Sequence, residues 1–117
     1  MSAKRTLHGY SADAEYPLHA FAIRAANKES AEPGQDLVCA SASILAYTLA
    51  ANVMQLTKNG DARVAPVVNM AEGKTEIHFK PHSKYRSVVT MIFDSICAGF
   101  ALLAHNHPAY IKFEIRE

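Results

Sequence analysis

The chain has 117 residues, 50% hydrophobic and 20% charged, with a formal net charge of +1. That is one domain able to bury a core, and the charge balance gives no reason to expect nucleic acid or an anionic membrane as partner. Two cysteines, Cys39 and Cys97, are too few for a disulfide scaffold and fit a reduced cytoplasmic setting.

The opening MSAKRTLHGYSADAEY has no continuous apolar run, so no secretory signal is expected. Lys4 to Tyr10 reads as a first strand, Ser11 to Glu15 as a polar turn. Leu18 to Ala26 reads as a second strand, with His19, Phe21, Ile23 and Ala25 on one face. The two would form a hairpin. A polar loop with Pro-Gly punctuation follows, Asn27 to Gln35.

Asp36 suits a helix N-cap. The helix behind it is expected from about Leu37 to Lys58, ending at Asn59-Gly60. No charge occurs from Leu37 to Thr57. Its Ser, Thr, Asn, Gln and Tyr residues argue for a core helix rather than a membrane span. A helix apolar or small on nearly all sides should be covered on nearly all sides, by a sheet and a second layer or by a dimer mate.

Ala62 to Asn69 is β-branched enough for a strand, with Pro66 marking an edge or bulge. Ala71-Glu72-Gly73-Lys74 reads as a turn. Thr75, Ile77 and Phe79 then alternate with Glu76, His78 and Lys80, the pattern of a half-buried strand. Ser83 is placed to cap a second helix. Its apolar positions Tyr85, Val88, Val89, Ile92, Phe93, Ile96, Phe100 and Leu103 share one face. Pro108 stops it, and Ile111, Phe113 and Ile115 alternate with charges in a last strand. The order β-β-α-β-β-α-β predicts an α+β domain with a mixed or antiparallel sheet and both helices on one face.

The stretch GQDLVCASAS carries the chemistry. With Asp36 as N-cap, Cys39 falls in the first helical turn. There the unpaired backbone N–H groups and the helix dipole favour a thiolate and lower a thiol's pKa. Ser43 follows one turn later on the same face, and Ala40, Ser41 and Ala42 between them are small. A packed, inert thiol fits the same residues.

GQDLVCASAS resembles the signature of the ribosomal-processing cysteine proteases, the Prp family, through Gly34, Asp36, Val38, Cys39, Ala40 and Ser43. The likeness continues through SASILAYTLAANV and returns in IFDSICAGFALLAHNHPAYIKFE. The resemblance implies an α+β homodimer with a Cys-His dyad. Its activity would be removal of a short N-terminal extension from a ribosomal protein, or in phage relatives the processing of capsid protein. It implies Cys39 as nucleophile, Asp36 as helix cap and support for the loop or base, and Ser43 as support for the thiol. Glu32, Pro33, Gly34 and Gln35 would belong to the loop closing over a peptide. Cofactor, metal, nucleic acid and membrane are not expected.

In the family the histidine ends the second strand, about twelve residues before the cysteine. Twelve residues before Cys39 stands Asn27. The competitor is Leu18-His19-Ala20, twenty residues before Cys39, which keeps the family's His-Ala but not the glycine before it. If His19 is the base, Phe21 to Ala26 must be loop. If Asn27 holds the slot, the thiol lacks its usual base, since an amide exchanges no proton near neutral pH. That second case describes a catalytically degenerate peptide-binding relative.

Elsewhere, His105 and His107 would need a third ligand to hold a metal. Cys97 reads as a packed thiol. Lys80, His82, Lys84 and Arg86 read as a solvated basic cluster.

Overall fold

The computed structural model describes residues 10–16, 21–27, 35–71 and 74–116. Five strands form one mixed sheet in the order β3-β4-β2-β1-β5. They are β1 (Tyr10–Glu15), β2 (Phe21–Asn27), β3 (Val67–Ala71), β4 (Lys74–Phe79) and β5 (Ile111–Arg116). The helices are α1 (Gln35–Lys58) and α2 (Arg86–Asn106), the latter preceded by a 3-10 turn at Ser83–Tyr85. The predicted element order and α+β class hold. All neighbours are antiparallel except β1 and β5, which run parallel with Tyr10 opposite Ile111.

Both helices bury one stripe on the same sheet face. Val38, Ala42, Leu49 and Val53 of α1 and Val89, Phe93, Ile96 and Phe100 of α2 meet Ala12, Ala14, Phe21, Ile23, Ile77 and Phe79. The period-2 strands and the helical stripes thus converge on one core.

The turn expected over Ser11 to Glu15 is strand β1, a correction to the sequence reading. Ala12 and Ala14 are buried under the helices. Asp13 and Glu15 point the other way, where Arg24 reaches both carboxylates at 2.9 and 2.7 Å. Ala and acidic residues have low β propensity, so pairing and packing rather than intrinsic preference hold this strand. Lys4 to residue 9 lie outside the described residues. The strand expected over Ala62 to Asn69 is instead β3, shifted to Val67–Ala71. Pro66 cannot donate to a ladder and so directly precedes the strand. Ala62 makes an isolated antiparallel bridge with Pro81.

Ser83 makes no side-chain cap. It opens the 3-10 turn that precedes α2, whose N-cap residue Tyr85 has no side-chain cap hydrogen bond. The sheet covers one side of α1. Leu37, Ile44, Tyr47 and Met54 are exposed along its outer side, and Val88, Met91 and Leu102 along that of α2. Leu37–Lys58 and Ser83–Asn106 are each long and apolar enough to cross a membrane, by length and composition alone. A core helix of a sheet protein passes the same test, and both helices here pack on the sheet.

Candidate functional site around Cys39

Chain direction fixes which end of the sheet Cys39 occupies. α1 ends in a Schellman motif: the Gly60 amide donates to the Thr57 carbonyl and the Asp61 amide to the Leu56 carbonyl, at 3.1 and 3.0 Å. Gly60 supplies the positive φ of 85° this motif needs. The next residues are tied to those just past β4. The His82 amide donates to the Asp61 carbonyl at 2.9 Å and the Arg63 amide to the Lys80 carbonyl at 2.7 Å. Phe79, at that end of β4, pairs with Phe21, the first residue of β2. The C-terminus of α1 therefore lies at the Phe21 end of the sheet.

The other end holds the beginning of α1. A helix of 24 residues is about 36 Å long, and β2 spans about 20 Å. α2 runs the opposite way and delivers the chain to Ile111, which faces Tyr10, which in turn faces Asn27. Gly99 is where the two helices approach: a Cβ there would come within 2.6 Å of a Leu45 methyl. Cys39 lies six residues before Leu45, toward the Asn27 end.

Cys39 is half-buried and packs against the core. α1 opens at Gln35, two residues earlier than expected, so Asp36 falls inside the helix rather than at its cap. Cys39 is thus its fifth residue, directly behind the four whose amides have no intrahelical partner. Ser43 is half-buried one turn further along. Asn27 is the last residue of β2, so the strand runs unbroken from Phe21 to Asn27 in register with both neighbours. His19, Glu32, Pro33 and Gly34 lie outside the described residues, and Gln35 is the first of α1.

Neither cysteine is in a disulfide. Cys97 is buried in the middle of α2, 3.3 Å from the Tyr16 hydroxyl, which donates to Asp94 at 3.0 Å. Burial raises the Cys97 thiol above its ordinary pKa, although the Tyr16 hydrogen bond works in the opposite direction. Burial, then the contacts with Cys97 and Asp94, raise Tyr16 as well. Cys97 is therefore a packed thiol of the core. No sequence pattern links Tyr16 to Cys97; only the fold joins them. Among the described residues, no group of three or more His, Cys, Asp or Glu could hold a metal ion. The His107 amide caps α2 by donating to the Leu103 carbonyl.

A half-buried thiol in the opening turns of the first helix of a two-helix α+β domain is a candidate nucleophile. The chain belongs to the family described as cysteine protease Prp, whose model matches residues 20–112. Among solved structures it is similar to SMU.848 from Streptococcus mutans (22% identity, TM-score 0.64, covering 91% of this chain and 92% of that one). It is also similar to the essential ribosomal processing protease Prp from S. aureus in complex with a substrate peptide (14%, TM-score 0.68, covering 92% and 99%). The same S. aureus protease with a covalently linked product peptide matches at 12% and a TM-score of 0.61, over the same shares. At these identities the structural likeness establishes the fold. No curated protein matches.

Proposed function

We propose that the chain is a Prp-type cysteine endopeptidase that removes a short N-terminal extension from a ribosomal protein or a phage capsid protein, with Cys39 as nucleophile. The observation that carries this is the half-buried Cys39 at the start of α1, inside the matched family segment, at the sheet end where β2 finishes. In the reaction, the Cys39 thiolate attacks the scissile carbonyl and the amine leaves with a proton from the base. Water then cleaves the thioester, releasing the acid and restoring the thiol. The proposed base is His19, against the intact strand Phe21–Asn27 described above; Asp36 would steady the helix start, Ser43 would support the thiol, and Glu32, Pro33, Gly34 and Gln35 would contact the peptide. The working unit is a cytoplasmic homodimer, a second copy covering the exposed apolar stripes of α1 and α2.

One observation favours a second reading. β2 stays strand from Phe21 to Asn27, and its Phe21 end is the one remote from Cys39. The family match also opens at residue 20, after His19, and includes Asn27. On this reading Asn27 holds the histidine's place and the protein binds a peptide without cutting it.

The test is the pH dependence of Cys39 alkylation by iodoacetamide, read by mass spectrometry, in wild type, His19→Ala and Asn27→His. Fast reaction near pH 6 that His19→Ala abolishes establishes the Cys39–His19 dyad. No effect of His19→Ala together with new reactivity in Asn27→His establishes the degenerate binder. Ordinary thiol reactivity in all three proteins removes both.

A further inference from the structure

The net charge of +1 conceals a segregation of charge. Lys58 ends α1, Arg63 follows it, and Lys80 and Lys84 lie between β4 and α2; all four are exposed. They belong to chain segments far apart in sequence. The Arg63–Lys80 backbone hydrogen bond, the Ala62–Pro81 bridge and the His82–Asp61 hydrogen bond fasten those segments together. The cations thereby gather at the Phe21 end of the sheet, with exposed His82 among them. None of the four forms an ion pair with a described residue. The one carboxylate within 58–63 and 80–86 is Asp61, which is buried. Arg86 adjoins the group and has an interaction of its own.

A solvated surface normally intersperses both signs, as the outer sheet face does here with Arg24, Asp13, Glu15 and Arg116. Four exposed cations meet at one end, where the nearby carboxylates Glu15 and Glu76 are already paired with Arg24 and His78 and Asp94 accepts from Tyr16. We infer that this end of the domain is a docking surface for the phosphate backbone of a nucleic acid. Several flexible ammonium groups with no enclosing cage suit a dense, repeating polyanion, where each neutralised phosphate releases counterions. A single carboxylate ligand or one phosphate would call for a converging pocket instead. The surface lies at the opposite end of the sheet from Cys39, so it can hold a polyanion while the thiol site stays open. The inference is independent of whether Cys39 is catalytic.

The test is fluorescence anisotropy of a labelled single-stranded RNA of mixed sequence, titrated with the full chain between 50 and 200 mM salt. Contact by about four cations predicts a slope of log K against log salt near −2.8, at about −0.7 per neutralised phosphate. Lys80→Glu/Lys84→Glu should weaken binding at least tenfold and reduce the slope by about half. Lys112→Glu, on β5 at the other end of the sheet, should change neither. Thermal melts confirm that these exposed changes leave the fold intact. No binding at 50 mM salt overturns the inference, as does equal weakening by Lys112→Glu. So does displacement of the RNA by polyglutamate at equal charge, which would reassign the surface to acidic peptides.

Discussion

Gly60→Ala isolates one backbone angle. Gly60 has φ of 85°, and a Cβ built there meets nothing within 4 Å. Any cost is therefore conformational rather than steric crowding. The left-handed region costs an L-residue about 1–2 kcal/mol. Alanine also narrows the unfolded ensemble, which returns about 0.4–1 kcal/mol. The balance is a loss of about 1 kcal/mol, or about 4 °C in melting temperature for a domain of this size. Gly60→Asn should cost less, because asparagine visits this region more readily. The assay is urea unfolding followed by circular dichroism, with Cys39 alkylation measured in parallel. Alkylation should not change, since Gly60 lies at the far end of α1. An alanine variant as stable as wild type, or an asparagine variant costing more than alanine, would refute the αL account of this helix end.

Other consequences follow from the core and its titratable groups. Gly99→Ala should stay within about 0.5 kcal/mol of wild type, because about 1 kcal/mol of helix propensity offsets a contact with the movable end of half-buried Leu45. Gly99→Leu should cost about 1–3 kcal/mol by overpacking, and Leu45→Ala in that background should recover part of it, a double-mutant cycle read by denaturation. Phe93→Ala removes the ring between α2 and Phe21, whose centroids lie 5.2 Å apart, and should cost about 3–5 kcal/mol in urea unfolding. Both Tyr16 and Cys97 have raised pKa values in the fold. Their contribution is therefore complete below the unfolded thiol range near pH 8.5 and should decline as pH rises through 9 and 10. Tyr16→Phe should remove the tyrosine's share of that decline near and above pH 10 and leave the thiol's share in place, in urea midpoints measured across pH 7.5 to 10.5.

Much of the fold is legible in the sequence where one physical signal dominates. Alternation over Thr75, Ile77 and Phe79 gave the correct buried face of β4, because the side-chain period of a strand is fixed. Asn59-Gly60 marked the end of α1, because few residues accept its positive φ. The α2 stripe through Val89, Phe93, Ile96 and Phe100 is visible in its spacing, although Val88, which the same spacing puts on that face, is exposed. The motif around Cys39 likewise announced the family, which the match over residues 20–112 establishes.

The remainder was set by partners distant in the chain. Ser11 to Glu15 looks like a turn until Arg24 is placed across from Asp13 and Glu15 and the helices lie over Ala12 and Ala14. The Tyr16–Cys97–Asp94 cluster joins residues about eighty positions apart. The gathering of Lys58 and Arg63 with Lys80 and Lys84 needs the closure between α1 and the end of β4. Local sequence determines periodicity, caps and turn residues, because these depend on a few neighbouring dihedrals. Which charges share a surface, and which end of the sheet Cys39 faces, depend on strand pairing and chain direction, and only the assembled tertiary structure supplies those.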